Sequence, residues 1–344
     1  MSSDESTFSI SVSFQASDLP SEVWASFREN PHASNIMFAH ASKVAKPSST
    51  APSSTGENVW IFLWDTRDTK SSPSVTFVLS CTNGPLGPYP IFIYTPLFTA
   101  SLEHAGIPTR LLALARSLNA VVPPERVFSV FAVDSIATMF ADIWTAETGI
   151  PLTAHPKYYH ASLMCCDEKL LRLRSLAELP GAEIVLRRAV STDVTNVSRL
   201  CHAFAAGSEP FVLSKEEAMQ EATIMIQNNQ VWVHEIRASG GKAEIASIVA
   251  TTRTTDTVAA ITKVFTNPGW RSLGCAERLL RHVCQQLLKE KAAVILYVAH
   301  DNPAAFSAYR NVGFVGFSAY SKGLMNESWK ELGFDRSRVE LGHW

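Results

Sequence analysis

Val264-Phe265-Thr266-Asn267-Pro268-Gly269-Trp270-Arg271-Ser272-Leu273-Gly274-Cys275-Ala276 is the stretch that decides how this chain folds. A β-branched run ends at Thr266, a Pro/Gly turn follows, and helical periodicity begins directly after it. Ala276, Leu279, Leu280, Val283, Cys284, Leu287 and Leu288 fall on one stripe at 3.6-residue spacing, which predicts an amphipathic helix over 276–289. The first N–H groups of a helix lack intrahelical acceptors and carry the positive end of its dipole. Small residues at Gly274 and Ala276 let an anion approach that backbone, and a pyrophosphate is the natural occupant.

Working outward, three strands precede the turn, over 230–236, 245–252 and 258–266, the first two joined at Ser239-Gly240-Gly241. Before them come a strand over 184–188, a helix over 192–204 opened by Thr192 or Asp193, and a helix over 215–228. Ser214 and Glu217 form a capping box for that second helix. A strand over 293–299, a helix over 303–312 and a β segment from Phe314 follow. The predicted order is β-α-α-β-β-β-α-β-α-β.

A second segment matters: Leu296-Tyr297-Val298-Ala299-His300-Asp301-Asn302-Pro303-Ala304-Ala305-Phe306-Ser307-Ala308-Tyr309-Arg310-Asn311-Val312-Gly313-Phe314. Asp301 or Asn302 suits an N-cap, Pro303 the first helical turn, and Gly313 the C-terminal cap. Arg271-x-x-Gly274-x-Ala276 resembles the [Gln/Arg]-x-x-Gly-x-[Gly/Ala] acyl-CoA-binding motif of the GNAT acyltransferase superfamily. The segment from Asn302 to Phe314 resembles the strand-Asn-x-x-Ala-helix-Tyr-x-x-x-Gly-Phe ending of the same superfamily. Two motifs in order, one helix apart, extend the resemblance over roughly 181–344.

The resemblance implies an α/β (α+β) fold, a mixed and mostly antiparallel sheet flanked by helices, and acetyl-CoA as acyl donor. Val264, Phe265 and Thr266 would lie along the pantetheine arm, with backbone groups of Val264 and Thr266 free to pair with it. The Val264 N–H would polarise the thioester carbonyl. Arg271, Ser272, Leu273, Gly274, Cys275 and Ala276 would hold the pyrophosphate. Asn302 would bond the arm or a nearby water, and Phe306 is counted among the same contacts. Tyr309, seven residues or about two turns beyond Asn302 and on its face, would protonate the departing thiolate. Cys275 matches a position facing phosphates and is not read as an acylated nucleophile.

The chain departs from many members of that superfamily where a general base is wanted. Ala260 and Thr262 occupy inward positions beside Lys263. Glu235, His234, Glu147 or a chain of waters are the alternatives, and the sequence does not choose among them.

Composition narrows the rest. Of 344 residues, 46% are hydrophobic and 18% charged, enough for sizeable cores, and the formal net charge is -2. Without a basic stripe, nucleic acid is not an expected partner. No apolar run is long enough to span a membrane, and the N-terminus does not read as a signal peptide. The cysteines Cys81, Cys165, Cys166, Cys201, Cys275 and Cys284 are scattered, fitting reduced thiols of a cytoplasmic protein. No zinc spacing, HExxH, GxSxG or P-loop occurs, so no metal is expected.

The first half carries a Pro/Ser/Thr-rich stretch, 42–58, expected as a flexible loop. Around it lie helices over 21–29, 100–118 (broken near Pro108) and 136–148, and strands over 59–64, 74–80, 91–94, 127–133 and 158–165. That order repeats the back of the second half without its Arg-x-x-Gly-x-Ala loop. It suggests either a degenerate GNAT-like lobe or an unrelated α/β cap over 1–178, ahead of a catalytic domain over 181–344. The tail with Trp329, Leu332, Phe334 and Trp344 reads as a closing strand. The function expected is N-acetyl transfer to a small-molecule or lysine-type amine, the alternative being a catalytically silent CoA-binding or scaffold protein. Neither the acceptor nor the oligomeric state is legible.

Overall fold

A computed structural model describes residues 8–46, 58–66, 73–97, 101–102, 106–174, 179–238, 241–316 and 327–343. It falls into two compact units, 1–161 with 318–344, and 162–317. The sequence suggested a single division near 178–181. The structure differs because the closing strand Ser328–Phe334 pairs antiparallel with Ser129–Val133 inside the first unit, Trp329 opposite Val133 and Leu332 opposite Val130.

The first unit contains β1 (Phe8–Ser13), α1 (Ser21–Glu29), α2 (Asn35–Val44), β2 (Val59–Asp65) and β3 (Ser74–Cys81). A small hairpin of β4 (Asn83–Gly84) and β5 (Gly87–Pro88) leads to β6 (Ile91–Tyr94), α3 (Gly106–Asn119), β7 (Ser129–Val133) and α4 (Asp134–Thr148). β8 (Leu152–Cys166) contributes residues 152–161 here and 162–166 to the second unit. β1 with β2, β2 with β3, β3 with β6 and β4 with β5 pair antiparallel, while β6 and β7 run parallel, Phe92 opposite Phe131. Trp60, Phe62, Phe77, Phe131, Phe140 and Trp144 are buried between sheet and helices, and the last two stack at 6.1 Å as their i,i+4 spacing dictates. Two expectations are corrected. The helix expected over 100–118 begins at Gly106, with 103–105 outside the described residues, and Pro108 lies in its first turn, where a missing N–H breaks no helical bond, so α3 is unbroken from Gly106 to Asn119. Ser42–Val44 belongs to α2 rather than to a loop, while 47–57 lies outside the described residues.

The second unit runs β9 (Ala182–Arg188), α5 (Val194–Ala205), α6 (Lys215–Gln227), β10 (Val231–Ala238) and β11 (Ala243–Ala250). Then come β12 (Arg253–Thr254), β13 (Val258–Ile261), β14 (Lys263–Thr266), α7 (Cys275–Leu287), β15 (Ala293–Ala299), α8 (Pro303–Val312) and β16 (Val315–Gly316). The closing strand is β17. The order β-α-α-β-β-β-α-β-α-β, with the short added strands aside, therefore occurs in both units. Ser214 and Glu217 make the anticipated capping box, with Glu217 N–H to Ser214 Oγ at 3.1 Å and Ser214 N–H to Glu217 Oε2 at 2.7 Å.

α7 buries Leu279, Leu280, Val283 and Cys284 against Val249, Val294, Leu296 and Val298, each Leu or Val contributing roughly 1.5–3 kcal/mol. α5 and α6 cover the other face with Val197, Cys201, Ala222 and Met225 on Val233, Ile248 and Ala250. The continuous strand read over 258–266 is in fact two. β13 pairs parallel with β15, whereas β14 pairs antiparallel with β11, at the edge of a separate sheet ordered β14-β11-β10-β9.

Gly313 ends α8 at φ 125, and a Cβ built there would lie 2.1 Å from the Leu170 carbonyl oxygen. Gly313→Ala is expected to destabilise by at least about 2 kcal/mol, from backbone strain alone. Thermal unfolding of the purified variant measures it, and an unchanged midpoint would refute the expectation.

Candidate active site

The change of partner at Thr262 creates the site. Pairing of β13 with β15 runs to Ile261 opposite Leu296; beyond it Tyr297–Ala299 continues along β15 while Lys263–Thr266 turns to β11. A wedge opens between two strands that began as neighbours. Asn267 N–H bonds the Ala246 carbonyl at 2.9 Å, making 246 and 267 a hydrogen-bonded pair. Antiparallel ladders alternate such pairs, so Phe265 turns its N–H and C=O toward Ile248, and Val264 and Thr266 turn theirs to the open edge. Arg271 Nε at 3.4 Å from the Thr266 carbonyl oxygen agrees with that orientation. Among the described residues no strand pairs with that edge.

The loop after β14 is shaped by two left-handed residues, Ser272 at φ 62 and Gly274 at φ 71. Such reversals turn successive N–H groups into a concave surface that suits an anion. Gly274 caps α7, and the first helical bond runs from Arg278 N–H to the Gly274 carbonyl at 2.9 Å. The Cys275, Ala276 and Glu277 N–H groups precede it without intrahelical acceptors. The Glu277 carboxylate is drawn toward α8, taking Arg281 Nη2 at 2.7 Å and Asn311 Nδ2 at 3.1 Å. Arg281 also donates to the Arg172 carbonyl at 2.8 Å, which fixes α7 against its neighbours. A pyrophosphate fits this donor set: N–H groups, a helix N-terminus and no free carboxylate on the first turn.

Leu273 is exposed, and Cys275 is buried in a small cluster with Ile236 and Ala246, its thiol pushed up by burial. It has the character of a packing thiol, and only its backbone faces the loop. Arg271 lies over the Phe265 ring at 5.5 Å. Asn302 caps α8, its Oδ1 accepting Ala305 N–H at 3.0 Å, so its Nδ2 is the group left to donate outward. Phe306 and Tyr309 pack with the core beneath α7 and α8. Burial pushes the Tyr309 hydroxyl up to about 12, which keeps its proton in place at any working pH.

The three side chains among the alternatives for a base separate clearly. His234 is fully buried on the α7 face, with Arg278 Nη1 3.3 Å from its Nε2. Burial, with Arg278 second, lowers it to about 4, so it is neutral but enclosed. Glu235 is held by Arg187, which also binds Asp193 at 2.6 and 3.0 Å. Glu147 belongs to the first unit and pairs with Arg116 at 2.9 Å. Glu221 on α6, not among those alternatives, meets Lys263 Nζ with its carboxylate at 2.6 and 2.7 Å. No local pattern could have marked it, since only the packing of α6 on the sheet joins the two.

All six cysteines are free and buried. Among the described residues no group of three His, Cys, Asp or Glu side chains could hold a metal, and no helix is long and apolar enough to cross a membrane.

No curated protein matches the chain. Among solved structures, it is similar to an acetyltransferase of the GNAT family from Colwellia psychrerythraea, at 10% identity and TM-score 0.50, covering 95% of this chain and 99% of that one. A GCN5-related N-acetyltransferase from Sphaerobacter thermophilus is similar at 14% identity and TM-score 0.50, over 95% of each chain. A Drosophila protein aligns at TM-score 0.57 with 9% identity, over 91% of this chain and 97% of that one. These likenesses share the fold across both units. The acetyltransferase (GNAT) family model matches residues 200–314, the span from α5 through the wedge and loop to the end of α8. Residues 200–314 are a GNAT-family acetyltransferase domain.

Proposed function

We propose that the second unit moves an acetyl group from acetyl-CoA to a primary amine of a small molecule or a lysine-type acceptor, by direct attack of the amine on the thioester. Membership of residues 200–314 in the GNAT family implies acyl-CoA-dependent acyl transfer. The single observation that carries the finer reading is the unpaired edge of β14 running into the loop at 271–276 and the N-terminus of α7.

On this reading the backbone of 271–276 holds the pyrophosphate, and Val264 and Thr266 pair with the pantetheine arm. Asn302 and Phe306 line the same path, whereas the Phe265 side chain turns to the α5/α6 face, against Phe204. The Val264 N–H is aimed where negative charge develops on the thioester oxygen, the kind of fixed donor whose removal typically costs two or more orders of magnitude in rate. Tyr309 supplies the proton that caps the departing thiolate. The donor brings the activated acyl group, and the protein contributes orientation, oxyanion stabilisation and proton transfer.

The test is release of free thiol from acetyl-CoA in the presence of a panel of amines, followed with a thiol reagent. Acceptor-dependent release is the expected result. Tight CoA binding with no release across a broad panel would favour a silent CoA-binding or scaffold protein instead.

A further inference from the structure

The two faces of β14 are unequal. Val264 packs with the α7 cluster, and Thr266 Oγ1 lies 3.1 Å from Ser247 Oγ. Both side chains therefore stand on the loop's side of the strand. Lys263 and Phe265 alternate to the other face. There Phe265 meets Phe204 of α5 at 6.2 Å, and Lys263 Nζ lies 5.0 Å over the Phe204 ring while gripping both oxygens of Glu221. A donor held by the α7 loop lies on one side of the open edge of β14, so the attacking amine reaches that edge from the α5/α6 side, where Lys263 and Glu221 keep some exposure. Lys263 is the residue next to Val264, so the Glu221–Lys263 pair sits beside the carbonyl's expected position on that face. α5 and the sheet enclose most of it, leaving 16% of the Glu221 and 10% of the Lys263 side chain exposed.

Resting on the transferase reading above, we infer that Glu221 is the proton acceptor for the incoming amine, and that Lys263 positions its carboxylate. Glu221 takes one proton from the acceptor's ammonium and frees the nitrogen lone pair. The nitrogen bonds to the thioester carbon, the C–S bond breaks, and the sulfur leaves with its electron pair and receives a proton from Tyr309. The nitrogen sheds its second proton as the amide forms. That proton balances the one given to sulfur, so one proton in all passes to solvent.

The groups facing this pair are few. Lys263 comes from β14 and the Cys201 thiol from α5, the latter pushed up to about 12, first by burial, and so neutral. The next charges on that face, Arg187 with Asp193 and Glu235, are bound to one another.

The experiment measures kcat/KM against pH, from about pH 6 to 10, for wild type, Glu221→Gln, Glu221→Asp, Lys263→Met and the double variant Glu221→Gln/Lys263→Met. Glu221→Gln is expected to lose roughly 10²-fold near neutrality. The deficit should close as rising pH deprotonates the free amine, and Glu221→Asp should retain most activity. Lys263→Met should lower kcat/KM while the profile keeps its wild-type shape, because the carboxylate loses only the cation that orients it. The double variant removes both charges together and keeps the fold testable if a single variant unfolds. It should share the Glu221→Gln profile. A profile of unchanged shape in Glu221→Gln, or wild-type rates in the double variant, would overturn this inference alone. A wild type unable to acetylate any amine would overturn the transferase reading along with it.

Discussion

Tyr309→Phe is expected to lower turnover by roughly 10²-fold or more, with little change in affinity for the acyl donor. The substitution removes one hydroxyl and keeps the ring, whose contact with Phe314 at 6.1 Å and packing beneath α7 and α8 are apolar. Folding should therefore be almost unaffected, so a rate loss reports on chemistry. Burial has pushed this hydroxyl up to about 12, so it is fully protonated wherever the protein is active. The deficit in Tyr309→Phe should consequently be flat across neutral pH, unlike that predicted for Glu221→Gln. Steady-state kinetics with acetyl-CoA and a working amine decide the matter, and unchanged turnover would remove Tyr309 from its role.

Gly274→Asp should weaken binding of CoA by roughly 10²-fold, about 2.7 kcal/mol. Gly274 occupies the cap of α7 at φ 71, a conformation that Asp tolerates better than most residues. Asp is also a favourable N-cap side chain, so the helix should persist. What changes is the concave surface: a side chain enters it, and a negative charge stands where two phosphates are to lie. Calorimetric titration with CoA gives the loss, and circular dichroism controls for the fold. Affinity equal to wild type would mean that the loop is misassigned.

The parts of this molecule written in local sequence were the readable ones. Gly274 and Gly313 at positive φ, the Ser214–Glu217 box, the Asn302 cap and the apolar stripe of α7 each follow from residues within a few positions. The wedge was not readable. Residues 258–266 form one apolar, β-branched run, and nothing in its periodicity records that β13 and β14 pair in different sheets. Nor does sequence order show that β17 closes the first unit. The base illustrates the same limit. His234 and Glu235 are consecutive on β10, and the structure sends one beside Arg278 and the other beside Arg187. Glu221 meets Lys263 across 42 positions of chain, a relation that only the docking of α6 on the sheet creates.

Everything proposed depends on the loop between β14 and α7 cradling two phosphates while the open strand edge takes the arm. A crystal structure of the protein with CoA tests this most directly. The expected result is diphosphate oxygens on the N–H groups of residues 272–276 and the pantetheine amides on Val264 and Thr266. Ordered CoA elsewhere on the molecule, with that loop closed over its own side chains, would contradict it.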